Sequence, residues 1–462
     1  MPKVVIVNEK KEIEVPAGSN LRQAAGANAA PAPSLPVSDL RICVLGLWHL
    51  GSVTAACAAR HFEVVGLDFD QANVARLNAG RAPLLEPGLD ERISAALAAG
   101  RLSFTTDPRI ACQNADLLWL CYDTPVNDRD ESDTAFVLKN LSRALKFLPA
   151  GALVLVSSQL PVGTCARLEK KFPRFQFACS PENLRLGRAV ESFENAPRVV
   201  VGLRRPDQKA LLEKLFAPFT SQILFLRTES AEMVKHALNS FLALSIAFIN
   251  EVACLCERVG ADAKEVSLGL KSDPRIGARA YLNPGGAFAG GTLARDVVTL
   301  TKLARARKEK ISVIAAIRSS NDRHRGWAFR KLQSRLGPLR GKKIALLGLT
   351  YTPNTDTLRR SAAVELCRRL LKAGAKVSAF DPAVKSLPKG LSGAELVPEI
   401  SAALNKADAA VVCTEWPQFR QAHWPALVPL MQRKIFLDAN RFLENELQAL
   451  AGVEHLSVGH RP

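Results

Sequence analysis

From Leu40 onward, short apolar runs alternate with amphipathic stretches along most of the chain. Runs such as RICVLGL, EVVGLDFD, LLWLCYD and ALVLVSSQ are typical of buried strands, and several helical stretches lie between them. A second series of the same kind begins at KKIALLGL and continues through KVSAFD, ADAAVVCTE and KIFLDAN. Because alternating strands and helices build doubly wound parallel sheets, the pattern predicts an α/β fold with two Rossmann-like domains.

The stretch between the two α/β series has no convincing strand and contains a long apolar helix from about Ala231 to Val259. The first 38 residues read as two short strands, a helix capped by Ser19 and a proline-containing linker without cysteine. We therefore expect four parts: a hairpin appendage over residues 1–38, a dinucleotide-binding domain over 39–228, a central helical region over 229–325 and a second Rossmann-like domain over 326–462.

The net charge of +18 suits a polyanionic partner, such as nucleic acid, an anionic membrane surface or a small molecule bearing phosphate. A mean hydropathy of +0.04 excludes a mainly disordered chain and a polytopic membrane protein. Ten cysteines without a C-x-x-C pair indicate buried thiols in a reducing compartment and give no metal pattern. No secretory signal is recognisable, and polar residues interrupt the longest apolar stretch, so we expect a cytoplasmic protein that does not span a membrane.

A glycine loop follows the first strand of the α/β series. It runs from Gly46 through Trp48 to Gly51 and opens a small-residue helix, and Asp68 ends the next strand. This order is that of a dinucleotide fingerprint, and the acid favours NAD over NADP because a carboxylate repels a 2′-phosphate. Trp48 replaces the middle glycine, so a domain that merely keeps the turn is the competing interpretation. His49 shows no partner pattern and is predicted to be a turn histidine.

Several longer motifs resemble those of the UDP-glucose/GDP-mannose dehydrogenase family. They are EPGL, the Thr-Pro pair at 124–125, PVGT ending at Thr164, SPENLRLGRAVESFENAPRVVVG, AEMVKHALNSFLALSIAFINE, DPRIGARAYLNPG and GKKIALLGLTYTPNTDTLRRSAAVEL. The likeness extends from about Leu40 to Leu443. It implies two Rossmann-like domains joined by a helical dimerisation region, and thus a homodimer or higher homo-oligomer. It also implies oxidation of the C6 alcohol of a UDP-sugar to a carboxylate with two NAD+.

The resemblance assigns roles to individual positions. The catalytic positions are Glu182, Lys235, Asn239, Thr292 and Asp296. Glu182 is the general base for water, Lys235 and Asn239 hold the C6 oxygen from one helix face, and Asp296 orders a water. The positions expected to bind NAD are Gly46, Trp48, Gly51, Asp68, Thr124, Pro125, Thr164 and Arg295. The positions expected to bind substrate are Arg275, Gly290 and Arg359, with Arg275 acting across a dimer contact.

Departures from the family pattern fall on the chemistry. Thr292 occupies the place of the nucleophilic cysteine, and a threonine hydroxyl without an adjacent base is a far poorer nucleophile than a thiol. We therefore expect Thr292 to be a helix cap. Gln159 replaces a threonine, and Arg295 replaces a lysine with its charge kept.

Three functions remain open from the sequence. The first is a four-electron dehydrogenase that manages with Thr292. The second is a two-electron oxidoreductase that stops at an aldehyde or ketone, and the third is a non-catalytic nucleotide-sugar binder. A nucleic-acid-binding protein is a distant alternative, because no motif for nucleic acid accompanies the basic charge.

Overall fold

The computed structural model describes residues 4–8, 11–15, 40–125, 127, 132–182, 184–289 and 291–460. Residues 1–38 and 39–462 form two separate compact units. In the first unit the two predicted strands, β1 (Val4–Asn8) and β2 (Lys11–Val15), pair as an antiparallel hairpin. The helix predicted after Ser19 and the linker lie outside the described residues.

An eight-stranded sheet begins the larger unit. Its strands are β3 (Arg41–Leu45), β4 (Glu63–Leu67), β5 (Leu102–Thr105), β6 (Leu117–Leu120), β7 (Leu153–Val156), β8 (Gln176–Cys179), β9 (Val199–Gly202) and β10 (Ile223–Leu226). They lie in the order β10-β9-β8-β7-β6-β3-β4-β5, and all neighbours are parallel except β8 and β9. All four residues of β6 and of β7 are buried, as expected for central strands covered on both faces.

Helices cover both faces of this sheet. They are α1 (His49–Ala58), α2 (Gln71–Asn78), α3 (Leu89–Ala98), α4 (Pro108–Cys112), α5 (Thr134–Ala144), α6 (Thr164–Lys171), α7 (Ala189–Glu194) and α8 (Lys209–Phe216), with a 3-10 turn at Pro206–Gln208. Two hydrophobic clusters pack against the sheet, one containing Val44 and Trp119 and the other Leu45 and Leu120. Since neighbouring residues of a strand face opposite sides, the two clusters are the two faces of one sheet.

The middle of the unit is helical, as predicted. It contains α9 (Thr228–Val259), α10 (Ala263–Ser272), α11 (Thr292–Ala306) and α12 (Ser312–His324). The 32-residue α9 packs against both α11 and α12 and ends at Gly260, whose left-handed conformation terminates the helix. An 18-residue window of α9 is long and apolar enough to cross a membrane, and 44% of that window is buried inside the fold.

A second parallel sheet completes the unit. Its strands are β11 (Lys343–Leu347), β12 (Lys376–Phe380), β13 (Ala394–Leu396), β14 (Ala409–Val412), β15 (Ile435–Asp438) and β16 (Glu454–Leu456). Its helices are α13 (Trp327–Leu336), α14 (Ala362–Lys372), α15 (Ile400–Leu404), α16 (Pro417–Arg420), α17 (Trp424–Leu427) and α18 (Glu444–Leu447), with a 3-10 turn at Val428–Leu430. The order β13-β12-β11-β14-β15 repeats the order β5-β4-β3-β6-β7 of the first sheet. The prediction of two Rossmann-like domains is thus confirmed.

Candidate active site

The glycine loop makes a tight turn between β3 and α1. Gly46 has a φ of +91°, and a Cβ on it would lie 2.6 Å from Cγ of Tyr122. A Cβ on Gly51 would lie 1.6 Å from the carbonyl oxygen of Gly46. Both positions therefore require glycine, one for the turn and one for the close approach of helix to strand. Trp48 stands at the N-cap of α1 without a capping side-chain hydrogen bond, and it is 43% exposed.

Asp68 holds the same loop from the end of β4. Its Oδ2 accepts a hydrogen bond of 2.7 Å from the backbone N–H of Leu47, and its Oδ1 accepts one of 3.1 Å from that of Asp70. The corresponding acid of the second sheet, Asp381, accepts from the N–H of Leu349 at 2.6 Å. Each Rossmann-like domain thus uses a carboxylate after its second strand to fix the loop after its first.

A buried ion pair lies beside the loop, and the sequence did not reveal it. His49, the first residue of α1, places its Nε2 2.8 Å from Glu86 Oε2. Glu86 also accepts from the backbone N–H groups of Gly187 and Ala189, which ties three segments together. Burial is the largest single influence and opposes the charged imidazole, but the bond to Glu86 together with the charges of Glu86, Asp123 and Glu182 outweighs it and raises the pKa of His49. The sequence predicted a turn histidine without a partner pattern; the structure places His49 instead at the start of α1, with its partner 37 residues along the chain.

The two loops expected to bind NAD lie side by side at the carboxyl edge of β6 and β7. Thr124, which precedes the half-buried Pro125, is buried and donates from Oγ1 to the carbonyl of Gln159 at 2.9 Å. Arg295 approaches from α11 and donates to the carbonyl of Thr124 at 3.4 Å. Thr164, the first residue of α6, is buried there as well. The structure thus gathers these residues around one edge of the sheet.

Lys235 and Asn239 project from one face of α9 into a common cluster. The Nζ of Lys235 lies 3.4 Å from Oε1 of Glu182, which follows β8. The amide of Asn239 donates to Oδ2 of Asp296 at 2.5 Å. Among these side chains Glu182 is the most accessible at 20%, whereas Asp296 is fully buried. The cluster therefore offers one ammonium, one amide and one accessible carboxylate at the carboxyl edge of the sheet.

Asp296 is enclosed by side-chain donors. Its Oδ1 accepts from Nε2 of Gln159 and from Nδ1 of His236, the latter at 2.7 Å, while Oδ2 accepts from Asn239. The resemblance implied that this acid orders a water, but its carboxylate has no exposed surface here. His236 was not singled out in the sequence, since a lone histidine on an apolar helix gives no signal.

Thr292 is the first residue of α11 and is exposed, one turn before Asp296. The N-cap position belongs to Gly291, so the expectation that Thr292 caps the helix is wrong. A cysteine, Cys179, does line the recess under Lys235, but it is buried and its thiol faces the carbonyl of Thr228 at 3.5 Å. Cys179 is thus not placed as a substitute nucleophile.

Of the residues expected to bind substrate, Arg275 and Arg359 are described and both are exposed. Arg275 is 88% exposed and pairs with Asp273 at 2.6 Å, outside the cluster. Arg359 is exposed on the loop after β11, and its neighbour Arg360 donates to the carbonyl of Asn127 beside the first domain. Gly290 lies outside the described residues. Within the part of the chain that the structure describes, no group of three or more His, Cys, Asp or Glu could hold a metal ion.

Comparison with known proteins places these observations in a family. Three models of the UDP-glucose/GDP-mannose dehydrogenase family match: the NAD binding domain over residues 40–220, the central domain over 229–323 and the UDP binding domain over 345–445. A UDP-glucose 6-dehydrogenase of Rickettsia typhi is 35% identical over 434 residues, covering 91% of this chain and 100% of that protein. The corresponding enzyme of Rhizobium meliloti is 31% identical over 435 residues, covering 91% and 99%.

The solved structures agree with the sequence relatives. A UDP-glucose dehydrogenase of Pyrobaculum islandicum superimposes with a TM-score of 0.82 at 29% identity, covering 94% of this chain and 100% of that one. A UDP-D-ManNAc dehydrogenase of Pyrococcus horikoshii gives 0.78 at 26% identity, covering 91% and 99%. NAD is accordingly the expected cofactor of the first Rossmann-like domain. From these matches and from its two glycine-loop domains, the chain belongs to the UDP-glucose/GDP-mannose dehydrogenase family, a family of nucleotide-sugar dehydrogenases.

Proposed function

We propose that the chain oxidises the C6 hydroxyl of a UDP-hexose, UDP-glucose in the first place, with NAD+. The observation that carries this proposal is the cluster of Lys235, Asn239 and Glu182 at the carboxyl edge of the first sheet. Ligands of open α/β sheets bind at this edge, and the expected NAD loops meet there. The names of the relatives support UDP-glucose as the substrate to test first.

The glycine loop fits a dinucleotide, because its two glycines sit where any side chain would clash. We propose that Gly46 and Gly51 form the turn of the NAD site and that Asp68 binds the ribose hydroxyls. The edges of the site are formed by Trp48, Thr124, Pro125, Thr164 and Arg295. When bound, NAD+ supplies the hydride acceptor for the C6 hydrogen. The N-terminal end of α1 carries a partial positive charge, which favours the negative diphosphate.

In the first oxidation, Lys235 Nζ and the Asn239 amide donate hydrogen bonds to the C6 oxygen. As that oxygen loses its proton, the ammonium stabilises the negative charge that develops on it. Glu182 Oε1, 3.4 Å from Lys235 Nζ, is the accessible base that takes the proton. The carbon loses a hydride at the same time and becomes an aldehyde.

The second oxidation needs a tetrahedral carbon that carries both a hydroxyl group and a hydrogen, and the free aldehyde has no hydroxyl group on that carbon. Without a thiol at position 292, we propose that water adds to the aldehyde to form a gem-diol, with Glu182 as the general base. Loss of a second hydride to a second NAD+, and of a proton, then gives the acid. The balance is one alcohol, two NAD+ and one water giving one carboxylate, two NADH and three protons.

The test is the stoichiometry of NADH per UDP-glucose consumed, with mass spectrometry of the products. Two equivalents with UDP-glucuronate support the proposal. One equivalent with an aldehyde or ketone would instead identify a two-electron oxidoreductase. Binding without NADH would identify a non-catalytic binder.

Thr292→Cys separates the gem-diol route from a covalent one. A thiol at the first position of α11 lies at the positive end of a helix, which lowers the pKa of a thiol. We expect the variant to form a covalent sugar adduct, seen as a mass increase of acid-quenched protein, and to oxidise the aldehyde roughly tenfold faster. Wild type and Thr292→Ser serve as controls and should show no adduct; an adduct on wild type would contradict the gem-diol route.

We also propose that Arg359, from the second Rossmann-like domain, and Gly290, which lies outside the described residues, bind the substrate. We propose the domain boundaries as well: residues 39–228 for the first Rossmann-like domain, 229–325 for the central helical region and 326–462 for the second Rossmann-like domain. Arg359 lies on the loop after β11, which reaches the first domain through the bond from Arg360 to Asn127. A guanidinium at this place suits a diphosphate.

A homodimer is part of the proposal. Three large apolar side chains spaced by seven residues are exposed on α9: Phe241 at 63%, Phe248 at 48% and Leu255 at 64%. A spacing of seven keeps side chains on nearly one face of a helix, so they form a continuous apolar stripe. We propose that two copies pack through this stripe and that Arg275 of each copy reaches the substrate of the other.

A further inference from the structure

Asp296 lies in a buried hydrogen-bond network that includes residues to which no catalytic role has been assigned. Asp296 has no exposed surface, and three side chains from two other segments donate to its carboxylate. His236 and Asn239 come from α9, and Gln159 comes from the segment after β7. His236 is 2% exposed and Asn239 5%, so the network is shielded from water. A buried carboxylate needs such donors, but their identity determines what else it can do.

His236 has an acceptor at each ring nitrogen. Its Nδ1 lies 2.7 Å from Asp296 Oδ1, and its Nε2 lies 3.1 Å from the carbonyl oxygen of Leu160. A neutral imidazole carries only one ring N–H, so both contacts are hydrogen bonds only in the imidazolium form. The contact from Nδ1 to Asp296 is the shorter of the two and holds the carboxylate in place.

The contact between Gln159 and Asp296 leaves one polar atom of the Gln159 amide without a hydrogen bond. Its Nε2 donates to Oδ1, while its own Oε1 is buried without a hydrogen-bond partner. A buried unpartnered carbonyl is destabilising, so the amide is oriented by what its nitrogen binds. The orientation follows from Asp296, because an ionised carboxylate can only accept.

The same reasoning applies to Asn239 on the other oxygen. Asp296 Oδ2 accepts from its Nδ2, which directs the NH2 group, and not the carbonyl, towards the carboxylate. One N–H of Asn239 is then used, and the second is left to donate elsewhere. In the proposed function this second N–H binds the C6 oxygen.

We propose that His236 and Gln159 are positioning residues that hold Asp296 as a fixed anion and, through it, orient the Asn239 amide towards the reacting oxygen. The proposal rests on the proposed function of Asn239. His236 is buried and its two ring nitrogens face Asp296 and the Leu160 carbonyl, so it acts through Asp296. The other charged groups near it are Lys235, Glu232 and Glu182, which share the same recess or its rim.

The test compares His236→Phe with His236→Asn. Phenylalanine removes the donor and keeps much of the volume, whereas asparagine keeps an N–H close to the position of Nδ1. We expect His236→Phe to lower kcat by roughly 10- to 100-fold and to change KM for UDP-glucose by less than about threefold, since misplacement of a positioned group costs rate. His236→Asn should recover most of kcat.

A double-mutant cycle makes the test specific. In an Asn239→Ala background, His236→Phe should cause little further loss of kcat, because the orientation it maintains is already absent. Equal, additive losses in both backgrounds, or full kcat in His236→Phe, would overturn the inference. If His236→Phe fails to fold, by its thermal unfolding, Gln159→Leu replaces it in the same cycle with the same expectation.

Turnover of UDP-glucose by the wild-type chain is measured first and tests the proposed function by itself. If the wild type and the His236→Phe variant are both fully active, the inference about His236 is wrong and the proposed function is retained. A wild type inactive with both NAD+ and UDP-glucose present removes both.

Discussion

At the scale of single residues, Asp123 stands at the place where the cofactor diphosphate is expected. Its Oδ2 accepts from the backbone N–H of Leu50 at 2.9 Å, at the start of α1. Asp123 is exposed at the surface, and the partial desolvation of its carboxyl group raises the pKa of Asp123, although His49 and the Leu50 N–H act in the opposite direction. An anion therefore already occupies part of the helix terminus that favours phosphate.

We predict that NAD+ binds more tightly when the Asp123 charge is removed. As pH falls through the raised pKa, the carboxyl becomes neutral and its repulsion of the diphosphate disappears, so affinity should rise. Asp123→Asn should bind NAD+ roughly three- to tenfold more tightly at neutral pH, in line with charge effects at helix ends of about 1 kcal/mol. The affinity of the Asp123→Asn variant for NAD+ should also depend less on pH than the affinity of the wild type does.

Trp48 provides the measurement. It is 43% exposed, while the other four tryptophans, Trp119, Trp327, Trp416 and Trp424, are buried. Quenching of Trp48 fluorescence in an NAD+ titration at several pH values should report binding at the glycine loop. Asp408→Asn, the same change in the second Rossmann-like domain, is the matched control. Weaker NAD+ binding by Asp123→Asn would show that the carboxylate assists the cofactor.

Sequence motifs predicted those site residues whose relative positions are fixed by their spacing on one helix or strand. Lys235 and Asn239 lie one turn apart on a helix, so their common direction follows from the period. The pairs His49–Glu86, His236–Asp296 and Gln159–Asp296 join residues 37, 60 and 137 positions apart. No periodicity links such residues, and only the folded sheet edge brings them together.

At the scale of elements, Asp262 ties α10 to the second Rossmann-like domain. It is the N-cap of α10, accepts from the Lys264 N–H and forms two bonds of 2.7 Å with Arg441. Burial acts against the charged carboxyl, but Arg441 and the cap bond outweigh it and lower the pKa of Asp262 to about 2. The Arg441 side chain is 5% exposed and depends on this partner.

We predict that Asp262→Ala lowers the free energy of unfolding by about 3 kcal/mol at pH 7, because it leaves a buried guanidinium without its main partner. The folded pKa lies below that of an unfolded aspartate, so this stabilisation is present above about pH 4 and is lost as pH falls towards 2. Denaturant unfolding at pH 7 and pH 3 measures it, and the difference from wild type should shrink at pH 3.

Asp207→Ala is the control for this comparison. Asp207 also pairs with an arginine, Arg205, but both side chains are more than half exposed. Exposed pairs contribute little, so this variant should lose much less stability than Asp262→Ala. Equal losses in the two variants would show that the Asp262–Arg441 pair is not a structural tie.

Sequence patterns predicted the long, strongly apolar elements better than the short ones. The apolar runs of the sequence predicted the strands around Cys43 and Trp119 and the helix ending at Val259. The strands β5, β13 and β16 are three or four residues long with exposed or half-buried positions. Such segments pair only because a neighbouring strand offers an edge, and the sequence alone does not show this.

At the scale of the whole molecule, the two Rossmann-like domains repeat one design. Each has a left-handed glycine, Gly46 or Gly348, after its first strand and a carboxylate after its second. A Cβ on Gly348 would lie 2.5 Å from Thr414, as one on Gly46 would clash with Tyr122. The matched loops follow the carboxyl ends of their sheets, where α/β folds bind ligands, which fits one domain for NAD and one for the nucleotide sugar.

The exposed stripe on α9 leads to the last prediction. Phe248 is the middle of the three stripe residues, and a charge there would have to be buried in a dimer at considerable cost. We therefore predict that Phe248→Asp converts the proposed dimer to a monomer at micromolar concentration, measured by sedimentation equilibrium. Because the monomer would no longer present Arg275 to a second site, its kcat/KM for UDP-glucose should fall by at least roughly tenfold.

A matched control separates assembly from folding. Ile110 is also exposed, at 59%, on α4 of the first Rossmann-like domain, so Ile110→Asp should leave the mass and the activity unchanged. The unfolding temperature of dilute Phe248→Asp shows whether the chain still folds. If this variant stays dimeric, the stripe is not the interface. If it becomes a fully active monomer, α9 joins the copies but Arg275 does not serve a partner's site, because the chemistry of one chain then needs nothing from the other.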